Sequence, residues 1–282
     1  MRIVDAQVHI WAASTPERPW PVRHAAHSAL PLTADELGRQ MDLAGVDAAI
    51  LVPPSWEGER NDLVLAACEA HPRRFALMGR IDPADPELLQ KIATWRAQPG
   101  AVGLRFSLHR PGMVESLNDG SLDAVWAAAE AHGVPVTVLL AQAQMHHISA
   151  VADRYPGLSI TIDHLGVPSS VPMAERFLNL DRLLDLARYD RIAVKASALP
   201  SLAPDEFPYR SLHTPVRKVI DAFGPKRVFW GTDFSRLPCS YRQAVSMFTE
   251  EMSWLNDHDK EWIMGRGITE WLGLSFENPG HT

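Results

Sequence analysis

The stretch "VDAQVHIW", residues 4–11, alternates as a buried strand does, yet it sets three polar side chains, Asp5, Gln7 and His9, at every second position. Side chains two apart on a strand share a face. The reading is therefore a strand whose polar face carries Asp5, Gln7 and His9, while Val8 and Ile10 turn outward. An apolar core has no use for such a face, so this strand is expected to form one wall of a site.

Working outward, apolar runs of strand length recur along the chain: "AAILVPP", "RFALMGRI", "VGLRFSLH", "PVTVLLA", "SITIDHLG", "RIAVKASAL" and "RVFWGTDF". Helical patterns separate them. "TADELGRQMDLAG" opens on Thr33 as N-cap with Glu36 three residues later, a capping box. "NDLVLAACEAHP" begins at Asn61, and "GSLDAVWAAAEAHG" ends at Gly133. Eight strands alternating with helices imply parallel pairing through right-handed crossovers. Eight also closes a barrel, so the expected fold is α/β, a (β/α)8 TIM barrel forming a single domain over residues 1–282. A doubly wound open sheet is the alternative. The longest irregular piece, near residues 12–32, is rich in Pro and His and follows the first strand. In a barrel it lies over the active-site mouth, where it is expected to act as a lid.

Composition narrows the function. Lys and Arg number 27 against 34 Asp and Glu, a net charge of −7 with no basic block, which argues against nucleic acid and anionic membrane as partners. No apolar run approaches 18 residues and no signal-type segment opens the chain. Cys68 and Cys239 form no CxxC pair and are read as free thiols. The expectation is a cytoplasmic protein acting on a small molecule.

Barrel enzymes place their chemistry at the C-terminal ends of the strands. Five of the eight strands finish there in polar groups: Gln7 and His9; Arg105 with His109 beyond it; Asp163 and His164; Lys195 and Ser197; Thr232 and Asp233. Each has an ordinary structural explanation. A lone strand-end histidine is commonly just solvated, Lys195 can cover apolar surface with its stem, and Arg105 can belong to a structural ion pair. Asp5 either orients a neighbour or anchors the barrel floor. His146 and His147 are adjacent, cannot share a helix face, and are read as surface. His24 and His27 sit in the lid loop, where substrate contact and solvation weigh equally. Trp11 and Trp230 are taken as structural. What the ordinary explanations do not account for is the shared end.

Three stretches carry a resemblance. "DHLG" at 163–166, "VKASAL" at 194–199 and "FWGTDFSRLP" at 229–238, after a first strand ending in histidine and tryptophan, resemble the amidohydrolase superfamily, in its lactonase-like, amidohydrolase-related branch of TIM barrels. That resemblance implies hydrolysis of small sugar, pyrone or muconate lactones, and barrels of this kind are often dimers or higher, so a homo-oligomer is an open expectation. Carried over, His9, His164 and Asp233 become the catalytic residues and also a metal ligand set. The departure is Gln7, where the pattern has histidine, and "VTVLLA" at 136–141 offers no further ligand.

A neutral amide oxygen suits zinc poorly. The cofactor expectation is accordingly none, or one divalent metal ion, Zn, Mn or Mg, on His9, His164 and Asp233. Without a metal, Asp233 would accept a proton from water while His9, His164 and Gln7 donate to the carbonyl oxygen. Gln7, Arg105, Lys195 and His109 are the expected substrate-binding residues, with Arg105 and Lys195 holding a carboxylate. The first functional reading is a hydrolase opening a small, carboxylated lactone. A metal-dependent decarboxylase or hydratase of an unsaturated dicarboxylate, and a non-catalytic binding barrel, are the alternatives.

Overall fold

A computed structural model describes residues 1–21, 26–110 and 112–276. The eight strands are β1 Val4–Val8, β2 Ala48–Leu51, β3 Phe75–Gly79, β4 Ala101–Phe106, β5 Val136–Val138, β6 Ile160–Ile162, β7 Ile192–Ser197 and β8 Val228–Gly231. They pair in parallel in sequence order, with helical segments between them. The fold is the expected (β/α)8 barrel.

Hydrogen bonds around Asp5 join the last strand to the first. The backbone N–H of Asp233 donates to the Gln7 carbonyl at 2.8 Å. The buried Asp5 carboxylate accepts from the backbone N–H groups of Gln7 and Thr232, from the Thr232 hydroxyl and from the Tyr241 hydroxyl. Gly231 is where this junction is tightest: a Cβ there would meet Gln7 N at 3.0 Å and the Ser197 Cβ at 3.1 Å. Only glycine leaves the strands that close together.

Two apolar layers follow from the alternation. Val4, Ala6, Ile50, Met78, Ala193 and Phe229 fill the barrel. Leu51, Leu77, Val138, Ile162, Val194 and Trp230 face the helices outside. The register slips at two strands. Along β1, three residues from Asp5 to Val8 match two from Ala49 to Leu51. In β4, two residues from Ala101 to Gly103 match one step from Leu77 to Met78. Each slip adds a residue and reverses the faces beyond it.

The slip corrects one reading of the opening strand. Ala6 belongs to the barrel interior, and Asp5 points to Tyr241 on the helix Tyr241–Ser246, so Asp5 does not share a face with Gln7 and His9. Asp5 is the anchor of the barrel junction. Helix signals held in part. Thr33 caps Ala34–Ala44 by accepting from Glu36 N, and Gly45 ends it in the left-handed region. The Glu36 side chain turns to Arg39 and Gln40, so the reciprocal half of that capping box does not form. Asn61 does not cap the following helix; its amide bridges to the backbone N–H and carbonyl of Arg80. No helix among the described residues is long and apolar enough to cross a membrane.

Candidate active site

The strand ends converge on a cleft of about 440 Å³ lined by His9, Arg105, His109, His164 and Asp233, together with His27, Ser55, Trp56, Ser107, Arg110, Leu139, Ser169, Ser170 and Arg236. Asp233 is at its centre. Its Oδ1 lies 3.0 Å from His9 Nε2, and its Oδ2 lies 3.9 Å from His164 Nε2 and 3.8 Å from Arg236 Nη1. Burial works to raise this carboxyl, but His9, then His164 and Arg236, outweigh it and hold it well below the usual carboxylate range.

Local backbone geometry aims these groups. His164 and Asp233 both adopt the left-handed region, with φ of 52° each, immediately after β6 and β8, as does Ala198 after β7. Such residues cost of order 1–3 kcal/mol each, which the hydrogen bonds at the barrel mouth must offset. The turns redirect the side chains into the cleft where a continuing strand would alternate them away.

The two histidines are held in different ways. His9 Nδ1 lies 2.6 Å from the Val52 carbonyl, which can only accept, so Nδ1 carries a hydrogen. Its Nε2 then faces Oδ1 of the Asp233 carboxylate. His164 Nδ1 lies 2.8 Å from Ser197 Oγ, while the backbone N–H of His164 donates to that same oxygen at 3.3 Å. The Ser197 hydroxyl can donate its proton to Nδ1, and in that tautomer Nε2–H is directed to the cleft. Burial, the largest influence, lowers His164 to about 4, so it is neutral at pH 7. His109, with Nδ1 3.4 Å from the Leu139 carbonyl, is lowered to about 4 by burial and by Arg105 and Arg110.

Gln7 and Lys195 sit behind the cleft wall and do not line it. Both are fully buried. Lys195 Nζ donates to Gln7 Oε1 at 2.8 Å and lies 3.1 Å from Asp163 Oδ1. Asp163 in turn accepts from Arg105 Nε at 2.7 Å, and Arg105 Nη1 donates to Ser107 Oγ at 3.1 Å. Lys195 therefore neutralises Asp163, and the expected substrate carboxylate cannot reach it. Lysine has only donors, so its contact fixes the Gln7 amide with oxygen toward Lys195 and NH₂ away. That Nε2 is buried with no partner among the described residues.

The Gln7 position does not fit a divalent metal: its oxygen is committed to Lys195 and it offers only an NH₂, which cannot ligate. Among the described residues no three His, Cys, Asp or Glu side chains are arranged to hold a metal ion. His9 Nε2 stands 3.0 Å from Asp233 Oδ1, and His164 Nε2 stands 3.9 Å from Asp233 Oδ2.

Several lining residues gave no clear sequence signal. Trp56 follows β2 and stacks edge-on to both His9 and Trp11, with centroids 6.1 and 5.3 Å away. Arg236 lies three residues past Asp233, inside "FWGTDFSRLP", and Arg110 directly follows His109. His27, from the loop after β1, reaches the cleft: its Nδ1 is 2.7 Å from Ser235 Oγ and its ring 4.5 Å from that of Trp56. His24 lies outside the described residues. The loop is pinned by backbone bonds between Trp11 and Leu32 and by Arg18, which engages Glu57 and, through two nitrogens, Asp62. His146 and His147 lie on the helix Met145–Arg154, away from the cleft. Trp230 packs outside the barrel and donates to the Ala244 carbonyl.

The sequence profile that describes amidohydrolases matches residues 4–274. The chain belongs to the amidohydrolase family. Among its curated relatives, an L-fucono-1,5-lactonase of Burkholderia ambifaria is 24% identical over 233 residues, 82% of this chain and 79% of the relative. A second L-fucono-1,5-lactonase, of Burkholderia multivorans, is 24% identical over 257 residues, 86% of both chains. A solved amidohydrolase of Burkholderia multivorans with bound zinc is 22% identical and superposes with a TM-score of 0.81, covering 98% of this chain and 100% of that one. At that identity the likeness speaks for the shared amidohydrolase fold.

Proposed function

We propose that this amidohydrolase opens a small lactone, with Asp233 as the general base and no metal in the reaction. The observation that carries the reading is the Asp233 carboxylate between the two histidine Nε2 atoms at the centre of the cleft. The lactonase relatives support the substrate class. Water placed at Asp233 Oδ2 attacks the ester carbonyl, and the carboxylate takes the proton. His164 Nε2–H donates to the oxygen as it gains charge, and His9 holds Asp233 in position. As the ring C–O bond breaks, the proton on Asp233 passes to the leaving alkoxide, which restores the carboxylate.

The deciding experiment is Asp233→Asn on a panel of sugar and carboxylated lactones. The expected outcome is a loss of kcat of about 10³ or more with the folded circular-dichroism spectrum retained. Activity within tenfold of the wild type would remove Asp233 as the base.

A further inference from the structure

Three cations, Arg80, Arg105 and Arg110, meet on the β3–β4 side of the cleft, and two carboxylates, Glu59 and Asp163, answer them; Asp163 is shared with Lys195 of β7. Arg80, buried just past β3, gives Nε to the Gly58 carbonyl and Nη2 to Glu59 at 2.9 Å, while its Nη1 is buried without a partner among the described residues. Arg105 spends Nε on Asp163 and Nη1 on Ser107; its Nη2 bonds to no described residue, and the side chain lines the cleft. Arg110 is half-buried, lines the cleft, and makes no side-chain hydrogen bond or ion pair among the described residues. Burial first, then Arg80 and Arg105, push it down to about 10.

Desolvating a guanidinium beside two others is unfavourable unless an anion joins them. The donors open to the cleft are the Arg110 fork, Arg105 Nη2 and the Ser107 hydroxyl. Planar forks of this kind match the paired oxygens of a carboxylate or phosphate. We infer that this edge of the cleft is an anion subsite built by Arg110, Arg105 and Ser107, with Arg80 behind it, and that it holds a carboxylate or phosphate group which the substrate bears apart from its reacting ester. The word substrate rests on the lactone reading; the binding of an anion does not.

The test is calorimetric titration of wild-type protein and of Arg110→Gln with two probes, glutarate and inorganic phosphate. Arg110 has no partner to lose, so the variant should melt at the same temperature as wild type or slightly higher. The expected result is binding by the wild type, weakened by about tenfold or more in Arg110→Gln, as befits loss of a charge-assisted contact, and partly recovered in Arg110→Lys. Preference between the probes identifies the group as carboxylate or phosphate. No binding of either probe by the wild type, or equal binding by Arg110→Gln, overturns the subsite. Binding lost in Arg110→Gln with no lactone turned over by the wild type would keep the subsite and sink the lactone reading instead.

Discussion

The Lys195 ammonium donates to Gln7 Oε1 at 2.8 Å and lies 3.1 Å from Asp163, with all three side chains fully buried. One lysine thereby neutralises the acid beneath the site and sets which end of the Gln7 amide is left free. Lys195→Met should cost about 3 kcal/mol of unfolding free energy, because it leaves Asp163 with Arg105 alone in a dry surrounding. Urea denaturation followed by fluorescence measures this; a change below 1 kcal/mol would mean that the lysine does not carry the charge of Asp163.

Gln7→Leu keeps the volume but removes an acceptor of Lys195, a contact that lies behind the cleft wall. Because Gln7 does not line the cleft, kcat and KM on a lactone substrate should stay within about tenfold of wild type, while the unfolding free energy falls by about 1–3 kcal/mol. Steady-state kinetics and urea denaturation separate the two effects. A fall in kcat of about 10² at unchanged stability would assign the amide NH₂ to the developing oxyanion instead.

Acid stability follows from Asp163. Burial alone would raise its carboxyl, but Lys195 and Arg105 together outweigh burial and hold it at about 2, against an ordinary 3.8. A folded value below the unfolded one gives stability that is present above pH 3.8 and is lost as pH falls toward 2. The amount at stake is about 2 kcal/mol. Unfolding free energies measured from pH 6 down to pH 2 should show this fall in the wild type and a smaller one in Lys195→Met, where Asp163 titrates nearer its ordinary value.

Protein purified without chelators should hold far less than one Zn, Mn or Mg per chain by plasma mass spectrometry, and dialysis against EDTA should leave turnover unchanged. The Gln7 amide is the reason: its oxygen is already bonded to Lys195. Near one equivalent of metal, with activity lost on removal and regained on add-back, would replace the side-chain donors by a Lewis acid.

Much of the site was legible in the sequence because strand ends are local features. Alternation on either side of a turn marks a strand, and the motifs at 163–166 and 229–238 place His164 and Asp233 at strand ends without knowledge of any contact. The substrate roles of Lys195 and Arg105 were less legible. Both point inward, but Asp163 pairs with both, and a pairing between residues 58 or 32 positions apart leaves no trace in the spacing. Trp56, Arg110 and Arg236 carry no periodic signal either, since loops place them.

By itself the sequence determined the barrel: eight apolar runs with helices between them, closed at a length that suits the fold, with polar groups gathered at one end. It also determined that Gln7, not a histidine, precedes His9. The tertiary structure decided where these groups point. An added residue in β1 turns Asp5 outward to Tyr241 and leaves Gln7 inside, and left-handed turns at His164 and Asp233 swing those side chains into the cleft. Periodicity is set by bonds between neighbours in the chain, whereas register and strained turns are stabilised by strands and side chains far away in sequence. For that reason the first could be read along the chain, and the second only once the strands had been brought together.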